Sequence, residues 1–505
     1  MTTPSRGGVL REGYDYDFSR ADPATGAHVD PAWCALYETA TVAASTGELG
    51  PMLATSWRYL PERLEWRFTP RSNAYFHSGD RCDAEAMAQA YEVHSDPVVS
   101  PMNAFFWKPI RAVATDGEEL VVSLHHPCVG LPRLLRSWHS AIHSPARRAA
   151  LGDHYGFADA DGTGPFRFQE LEVGEHFDVA RWDDYRGAGV GWFANDGPAL
   201  LDGIRWIPLV DEAERASALE AGDIHSVQNP SLLDVERLKE NPDLRVVEYQ
   251  QSSLAYFALD QLHPDLRFDD VNVRRAISHA IDRTRIVSEE LLGHGTAAYG
   301  PIPSESRWYE PTVADFNEYN PGLAESLLDA AGLTRGSDGT RLRFPVRVLH
   351  DSTLLRVAQS IGDMLAAIGV LIEVSVATDF ASFYGSLDQH PPAFLSKWFW
   401  PEPVDAIVGF VASWAHDGPN WQRASNHAID DACIRWQTAP SATAEAQAAG
   451  DLQVLIAEHL PLVPLYFPSA VWACHRSVRG WDPTPTNLYP FYNDVWIRPT
   501  DHPPR

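Results

Sequence analysis

The pattern of apolar and polar residues is clearest over residues 342–376. Leu342–Leu349 predicts a strand, and Leu354–Ile368 carries its apolar residues on one helical face. Val370–Val376 alternates apolar with polar positions and predicts a second strand, while Gly369 before it fits the residue that ends a helix. A strand–helix–strand unit of this length joins parallel strands by a right-handed crossover, so the segment predicts a parallel α/β sheet.

Other segments predict further helices and strands. The helices are predicted over residues 270–283, from Asn320 onward and over about 212–221, and the strands over Leu64–Phe68 and Phe166–Glu172. Asp270 and Asn320 are residue types that cap helix N-termini, and Gly222 is one that ends a helix. The chain therefore predicts mixed α/β architecture with more than one sheet.

Length and charge narrow the class of protein. A chain of 505 residues is too long for one ordinary core, so two or three domains are expected. The net charge of −28 repels phosphate backbones, and nucleic acid is not expected as a partner. No run approaches the roughly 18 apolar residues needed to cross a membrane.

The sequence lacks the usual motifs of catalysis and metal binding. The five cysteines are scattered, odd in number and without a CxxC pair, which argues against a disulfide framework or a zinc ribbon. No GxSxG, HExxH or phosphate-binding loop with its lysine is present. We expect no cofactor, we identify no catalytic residue, and the motifs lean against an enzyme.

The first residues carry no charged segment followed by an apolar stretch and a small-residue cleavage site. As written, the sequence has no signal peptide and predicts a cytoplasmic protein. If a leader was removed, an extracellular or membrane-associated protein is expected instead.

Short motifs in a fixed order carry a resemblance to a known family. The motifs are Gly7–Arg11, Leu53–Trp57, Phe76–Asp80, Gly162–Phe166, Ala218–Ile224, Phe268–Ala276, Ala280–Arg283, Tyr299–Pro303 and Tyr319–Pro321. In this order they resemble extracellular solute-binding protein family 5, the oligopeptide-, dipeptide- and nickel-binding proteins of ABC importers. Most motif residues fit structural tasks, and Gly162 and Gly164 are expected in a tight turn that needs a positive φ.

The resemblance implies a bilobal periplasmic-binding-protein-like fold of class II, the large peptide-binding type. Lobe I would comprise residues 1–258 and 476–505, with an extra subdomain at about 45–160, and lobe II residues 259–475. Two crossing strands, near 257–260 and 471–476, would form the hinge. The ligand would be enclosed between the lobes.

The implied function is binding of a peptide-like or other polar small molecule as the substrate-binding component of an ABC importer. The partners would be that ligand and ABC permease subunits, and the chain would be a monomer. An alternative stays open, because the missing leader also fits a cytosolic protein of this fold, co-opted as an enzyme or carrier in a biosynthetic pathway.

The richest candidate site is the run from Lys397 to Asp405. It resembles a cleft-lining segment of the family, in which an aspartate holds the ligand's amino group. Phe399 occupies that position here, so the amine anchor is absent or has moved to Glu402 or Asp405. Trp398 and Trp400 are candidates for stacking on the ligand, although alternation along a strand favours core packing for one of them.

Three further residues complete the candidate ligand site. Trp33 follows the first turn, where family members reach the cleft. His139 is a candidate hydrogen-bonding group, and with His143 four residues later it would share a helix face and offer metal ligands, a weaker interpretation. Arg356 can pair with a ligand carboxylate, or it is an ordinary exposed helix arginine.

Overall fold

The computed structural model describes residues 4–18, 20–25, 31–43, 48–100, 107–187, 189, 193–251, 253–398, 403–416, 419–484 and 489–499. The chain forms two compact units, residues 1–249 with 470–505 and residues 250–469. It therefore passes between the units twice, at residues 249–250 and 469–470.

The first unit is built mostly from the N-terminal half of the chain. Its elements are β1 Val9–Tyr14, α1 Pro31–Leu36, β2 Thr41–Ala43, β3 Leu49–Pro51, β4 Ala54–Leu60, β5 Glu65–Pro70, α2 Ala84–Ser95, β6 Ile110–Asp116, β7 Glu119–Leu124, α3 Leu131–Leu134, α4 Pro145–Leu151, β8 Phe166–Glu172, β9 His176–Arg181, β10 Gly203–Pro208, α5 Glu212–Ala221, β11 Ser226–Gln228, α6 Val235–Glu240 and β12 Leu244–Gln250. After the second unit, the chain returns to add β19 Val478–Arg479 and β20 Trp496–Ile497.

The second unit occupies the middle of the chain. Its elements are β13 Leu254–Leu259, α7 Val271–His279, α8 Arg283–Arg285, β14 Gly295–Ala297, α9 Pro321–Ala330, β15 Leu342–Val348, α10 Ser352–Ala367, β16 Val370–Val376, α11 Phe380–Leu387, β17 Ala393–Trp398, α12 Pro403–Val411, α13 His427–Gln437, α14 Ala442–His459 and β18 Val463–His475. The last six residues of β18, from Ala470, belong to the first unit.

The sheet of the first unit centres on β1. This strand pairs in parallel with β10 and β11, and β9 and β8 extend the sheet beyond β10 in antiparallel order. On its buried face lies Glu12, whose carboxylate accepts hydrogen bonds from Ser226 Oγ at 2.6 Å and Trp481 Nε1 at 2.8 Å. The other oxygen accepts from Tyr492 Oη at 2.6 Å and Trp206 Nε1 at 3.0 Å. One carboxylate thus joins two sheet strands to the C-terminal segment.

A separate antiparallel sheet, in the order β4-β5-β7-β6, has its own core in the first unit. The core runs from Ala40 to Ile142 and includes Trp66, Phe68 and Tyr91. It lies within the segment for which the sequence predicts an extra subdomain.

Two fully buried histidines lie beside this core. His94 donates from Nε2 to the carbonyl of Ala141 at 2.9 Å, and its ring stacks on Trp107. The ring of His143 meets His94 edge-on at 5.2 Å, and neither of its nitrogens makes a hydrogen bond within the described part of the chain. Burial lowers the pKa of His94 to about 4 and holds the pKa of His143 well below its ordinary value.

The predicted strand–helix–strand unit is present in the second unit. β15 and β16 pair in parallel from Leu342–Val370 to Val348–Val376, and α10 connects them. Gly369 has φ +83°, as a helix-ending glycine requires, and a Cβ there would lie 2.7 Å from the carbonyl oxygen of Gly339. β17 pairs in parallel with β15, and β13 and β18 follow in antiparallel order.

The structure corrects three local predictions. Leu64 lies outside β5 because it closes a helical turn with φ +53°. The helix predicted over 270–283 ends at His279, since Asp282 caps a new helix by accepting from the Arg285 amide at 3.0 Å. Gly162 and Gly164 do not have positive φ. Glycine is needed there because the backbone of α1 approaches closely, and a Cβ at either position would lie 2.1 or 2.3 Å from it.

Two arginines of the family-like motifs hold backbone carbonyls. Arg274 donates to the carbonyls of His459 and Leu460 at the end of α14. Arg283, 1% exposed, donates to the carbonyls of Pro464, Ser278 and Asn317. Both therefore satisfy backbone acceptors that burial would otherwise leave without donors.

None of the five cysteines forms a disulfide bond, and all are buried. Across the described parts of the chain, no helix combines the length and apolar composition that a membrane crossing requires.

Replacing Gly164 with alanine should destabilise the first unit. The new Cβ would lie 2.3 Å from the carbonyl oxygen of Ala35, and backbone cannot move aside as a flexible side chain can. We expect the free energy of unfolding to fall by about 1–3 kcal/mol in urea denaturation. The control is Gly385→Ala in α11, where a Cβ meets nothing within 4 Å. Equal stability of the two variants would contradict the close-approach explanation.

Replacing His143 with phenylalanine should flatten the loss of stability at acid pH. Below about pH 6.5 the unfolded histidine takes up a proton that the buried one does not, so the free energy of unfolding falls as the pH is lowered, by about 1.4 kcal/mol per pH unit for each such histidine. Phenylalanine removes one such proton without breaking a described hydrogen bond. Urea unfolding at pH 7, 6 and 5 measures the slope. The exposed His154→Gln should keep the wild-type slope, and a matching slope for His143→Phe would refute the assignment.

Candidate functional site

The candidate site in the second unit lies where β15 and β17 end. The two strands pair in parallel, so their carboxyl ends lie on the same side of the sheet, where α10 begins. In open α/β sheets, ligands bind outside the carboxyl ends of the strands. Lys397 near the end of β17 and Asp351 at the start of α10 meet there, with Nζ and Oδ2 2.6 Å apart.

Asp351 has two roles at this edge. Its Oδ1 accepts from the amide of Leu354 at 2.8 Å, which caps α10, while Oδ2 accepts from Lys397. Burial raises the pKa of this carboxyl, but the charge and hydrogen bond of Lys397, with the amides of Leu354 and Thr353, outweigh burial and lower the pKa below its ordinary value. The carboxylate therefore stays ionised beside the ammonium group.

The pair is only partly shielded from solvent. The side chain of Lys397 is 30% exposed and that of Asp351 is 18% exposed. Tyr384 of α11 lies close by, and burial raises the pKa of its hydroxyl to about 12, against the opposing effect of the Lys397 charge. The Tyr384 hydroxyl also shares a hydrogen bond with the Ser396 side chain, which likewise opposes the effect of burial on its pKa.

Trp398 packs on the other face of β17. It is 4% exposed, and its ring contacts Phe410 at 4.6 Å and Tyr256 at 5.5 Å between centroids. Ser253 Oγ donates to the backbone carbonyl of Trp398. Alternation along β17 thus directs Lys397 toward Asp351 and Trp398 into an aromatic cluster.

Arg356 lies on α10, one helical turn beyond Asp351. Its side chain is half-buried, and Nη2 donates to Thr353 Oγ1 at 3.2 Å and to the carbonyl of Glu290 at 3.5 Å. Burial raises the pKa of Tyr466, whose hydroxyl feels the opposing charges of Asp351 and Arg356. Tyr466 is therefore within electrostatic reach of both Asp351 and Arg356.

The candidates in the first unit are buried. Trp33 is fully buried in α1 and donates from Nε1 to the carbonyl of Arg20 at 3.4 Å. His139 is 6% exposed, and its ring meets Trp33 edge-on at 6.0 Å. His139 lies in a single helical turn that ends at Ser140, and Ala141 is extended, so His139 and His143 do not share a helix face.

The structure does not describe the side chains of three candidates from the sequence. Trp400 and Glu402 lie outside the described residues, and Asp405 lies in α12 with its side chain outside the description. The sequence named the run that begins at Lys397 but gave Lys397 no role, and it missed Asp351 and Tyr384. The available signal was composition, because Lys397 is one of only three lysines and stands at the end of an otherwise uncharged strand.

Comparison with known proteins places the chain among bacterial binding proteins. The model of the bacterial extracellular solute-binding proteins, family 5 Middle, matches residues 48–420. The glutathione-binding protein GsiB of Pectobacterium atrosepticum is 25% identical over 328 residues, covering 64% of this chain and 60% of that protein. Di/tripeptide-binding protein 1 of Pseudomonas aeruginosa is 23% identical over 335 residues, covering 66% and 60%. The chain thus matches about 60% of the length of these curated relatives.

A solved structure has the same fold. The periplasmic binding protein DppA of Helicobacter pylori, in complex with the peptide STSA, superposes with a TM-score of 0.85 at 22% identity. The superposition covers 98% of this chain and 99% of DppA, so the fold class that the motifs imply is confirmed. With the family model matching most of its length, the chain belongs to family 5 of the bacterial extracellular solute-binding proteins.

Proposed function

We propose that this chain is the substrate-binding component of an ABC importer and binds a peptide-like or similarly polar small molecule. The match of the family model over residues 48–420 is the observation that carries the proposal. The names of the curated relatives, which bind glutathione and di- or tripeptides, and the peptide held by DppA support this substrate class.

In this proposal the ligand occupies a cleft between lobe I, residues 1–258 and 476–505, and lobe II, residues 259–475. The division of the chain into units 1–249 with 470–505 and 250–469 supports two lobes with nearby boundaries. The protein would act as a monomer on the outer side of the membrane and deliver its ligand to ABC permease subunits. The family description as extracellular supports that location.

The second lobe would contribute the run from Trp398 through Trp400 and Glu402 to Asp405, together with Arg356. We add Lys397 and Asp351, because an ion pair with partial solvent access can exchange one partner for a ligand group without exposing a deeply buried charge. Hydrogen bonds made in the closed cleft would replace the water that a polar ligand loses.

Trp33 and His139 are the proposed contributions of the first lobe. Since both are buried, they would shape the wall of the site more than hold the ligand's charged ends. The relatives described above are named as binding proteins, which gives the alternative of a co-opted enzyme no support.

The substrate class is tested by titrating the full-length protein with glutathione and with mixed di- and tripeptide libraries. Tryptophan fluorescence reports binding because the chain has seventeen tryptophans, and calorimetry gives the stoichiometry. We expect one class to bind saturably with one ligand per chain, and free amino acids to bind far more weakly. Failure of every peptide class to bind would count against the proposed substrate.

Replacing Lys397 with methionine should weaken binding of the peptide that the titration identifies by at least tenfold. Asp351 would lose its partner, and a ligand group that pairs with Lys397 in this proposal would lose its positive charge. Lys239→Met is the matched control, since Lys239 pairs with Glu236 and Glu248 on the surface. Lys397→Arg should recover part of the affinity. Unchanged affinity in a folded Lys397→Met protein would exclude this residue from the ligand site.

A further inference from the structure

A cluster of three metal-ligating side chains lies in the first unit, on the β8–β9 hairpin. Glu170 and Asp178 are directly opposite each other on the two strands, and His176 is two residues before Asp178 on the same face. A bulge at Gln169 brings Glu170 into this register. Three residues that are separate in the sequence therefore point from one sheet face.

The ligand atoms of this cluster converge. His176 Nε2 lies 3.5 Å from Glu170 Oε2 and 3.7 Å from Asp178 Oδ2, and all three atoms lie within 4.8 Å of one another. The side chains of His176 and Asp178 are 16% and 11% exposed, while that of Glu170 is 60% exposed. The cluster is thus shielded from solvent at His176 and Asp178 and open to solvent at Glu170.

The spacing fits an ion better than direct hydrogen bonds. Nε2 of His176 is buried and makes no hydrogen bond in the described part of the chain, although two carboxylates face it. Ligands held at about 2.0–2.1 Å around a tetrahedral Zn²⁺ lie about 3.3–3.4 Å apart. The observed separations from Nε2 need to shorten by only a few tenths of an ångström to reach that value.

Arg205 of β10 competes for one of these ligands. It stands opposite Asp178 in the neighbouring strand and donates to both oxygens, at 2.8 Å from Nε and 2.5 Å from Nη2. A metal ion bound by Asp178 Oδ2 must share this carboxylate with a guanidinium group. Arg205 should therefore lower the affinity of the cluster for a metal ion, and replacing Arg205 tests this.

We propose that Glu170, His176 and Asp178 bind one divalent transition-metal ion, with Zn²⁺ as the reference ion. Imidazole with two carboxylates is a donor set that suits Zn²⁺, and solvent would complete the coordination through the open side. Binding would link β8 to β9 through side chains of both strands. None of the three residues belongs to the proposed peptide-binding site, so the failure of either proposal would leave the other standing.

The test is calorimetric titration of Zn²⁺ into the chelator-treated full-length protein, with the rise in Tm as a second readout. We expect one saturable site in the wild type. His176→Gln and Glu170→Gln should each weaken binding at least tenfold. Because the Glu170 side chain is mostly exposed, we expect the Glu170→Gln protein to stay folded. The exposed His154→Gln should bind as the wild type does.

The Zn²⁺ affinity of the Arg205→Gln variant provides the decisive measurement. Freed from its guanidinium partner, Asp178 becomes a better ligand, and we expect Zn²⁺ binding several-fold tighter than in the wild type. A wild type without a saturable site would overturn the proposal. So would equal Zn²⁺ affinity of wild type and His176→Gln, because the ion would then be held by other histidines. Weaker binding in Arg205→Gln would contradict a competition between Arg205 and the ion for Asp178.

Discussion

The first unit depends on the buried carboxylate of Glu12. Its four donors come from positions between 194 and 480 residues away in the chain, on β10, on β11 and in the C-terminal segment. Burial raises the pKa of Glu12, whereas the hydrogen bonds from Ser226, Tyr492, Trp481 and Trp206 lower it, and burial prevails. Because a buried carboxylate is costly unless all its acceptor sites are used, the C-terminal segment must return to β1 for this unit to be complete. The middle of the chain is then necessarily an insertion between the two parts of the first unit.

Features set by local sequence pattern could be predicted, whereas features set by contacts between distant residues could not. β16 and β8 begin and end where the sequence predicts them, and Asp270 and Asn320 cap their helices as their residue types predict. These features depend on neighbours a few residues away. Glu12 shows the limit, because a glutamate inside a strand gives no sign of partners that arrive hundreds of residues later.

The same limit explains the incomplete prediction of the candidate site. The resemblance pointed to the run that begins at Lys397. Asp351, which pairs with Lys397, lies 46 residues earlier, and the sequence indicates only a helix cap there. Only the parallel pairing of β15 with β17 brings the two to one sheet edge. For Gly162 and Gly164 the residue type was informative and the reason was wrong, since the space they leave is taken by α1 rather than by an unusual φ.

The charged groups of this acidic chain fall into two kinds. Glu12 and Arg283 are fully enclosed, and each is surrounded by fixed partners, so moving either would leave a charge in an apolar interior. Lys397 and Asp351 keep partial contact with solvent. Exchanging a partner there costs far less, because water or a ligand group can take its place at once. A polar ligand needs such exchangeable charges within a rigid frame, and the fully bonded interior charges are what make the frame rigid.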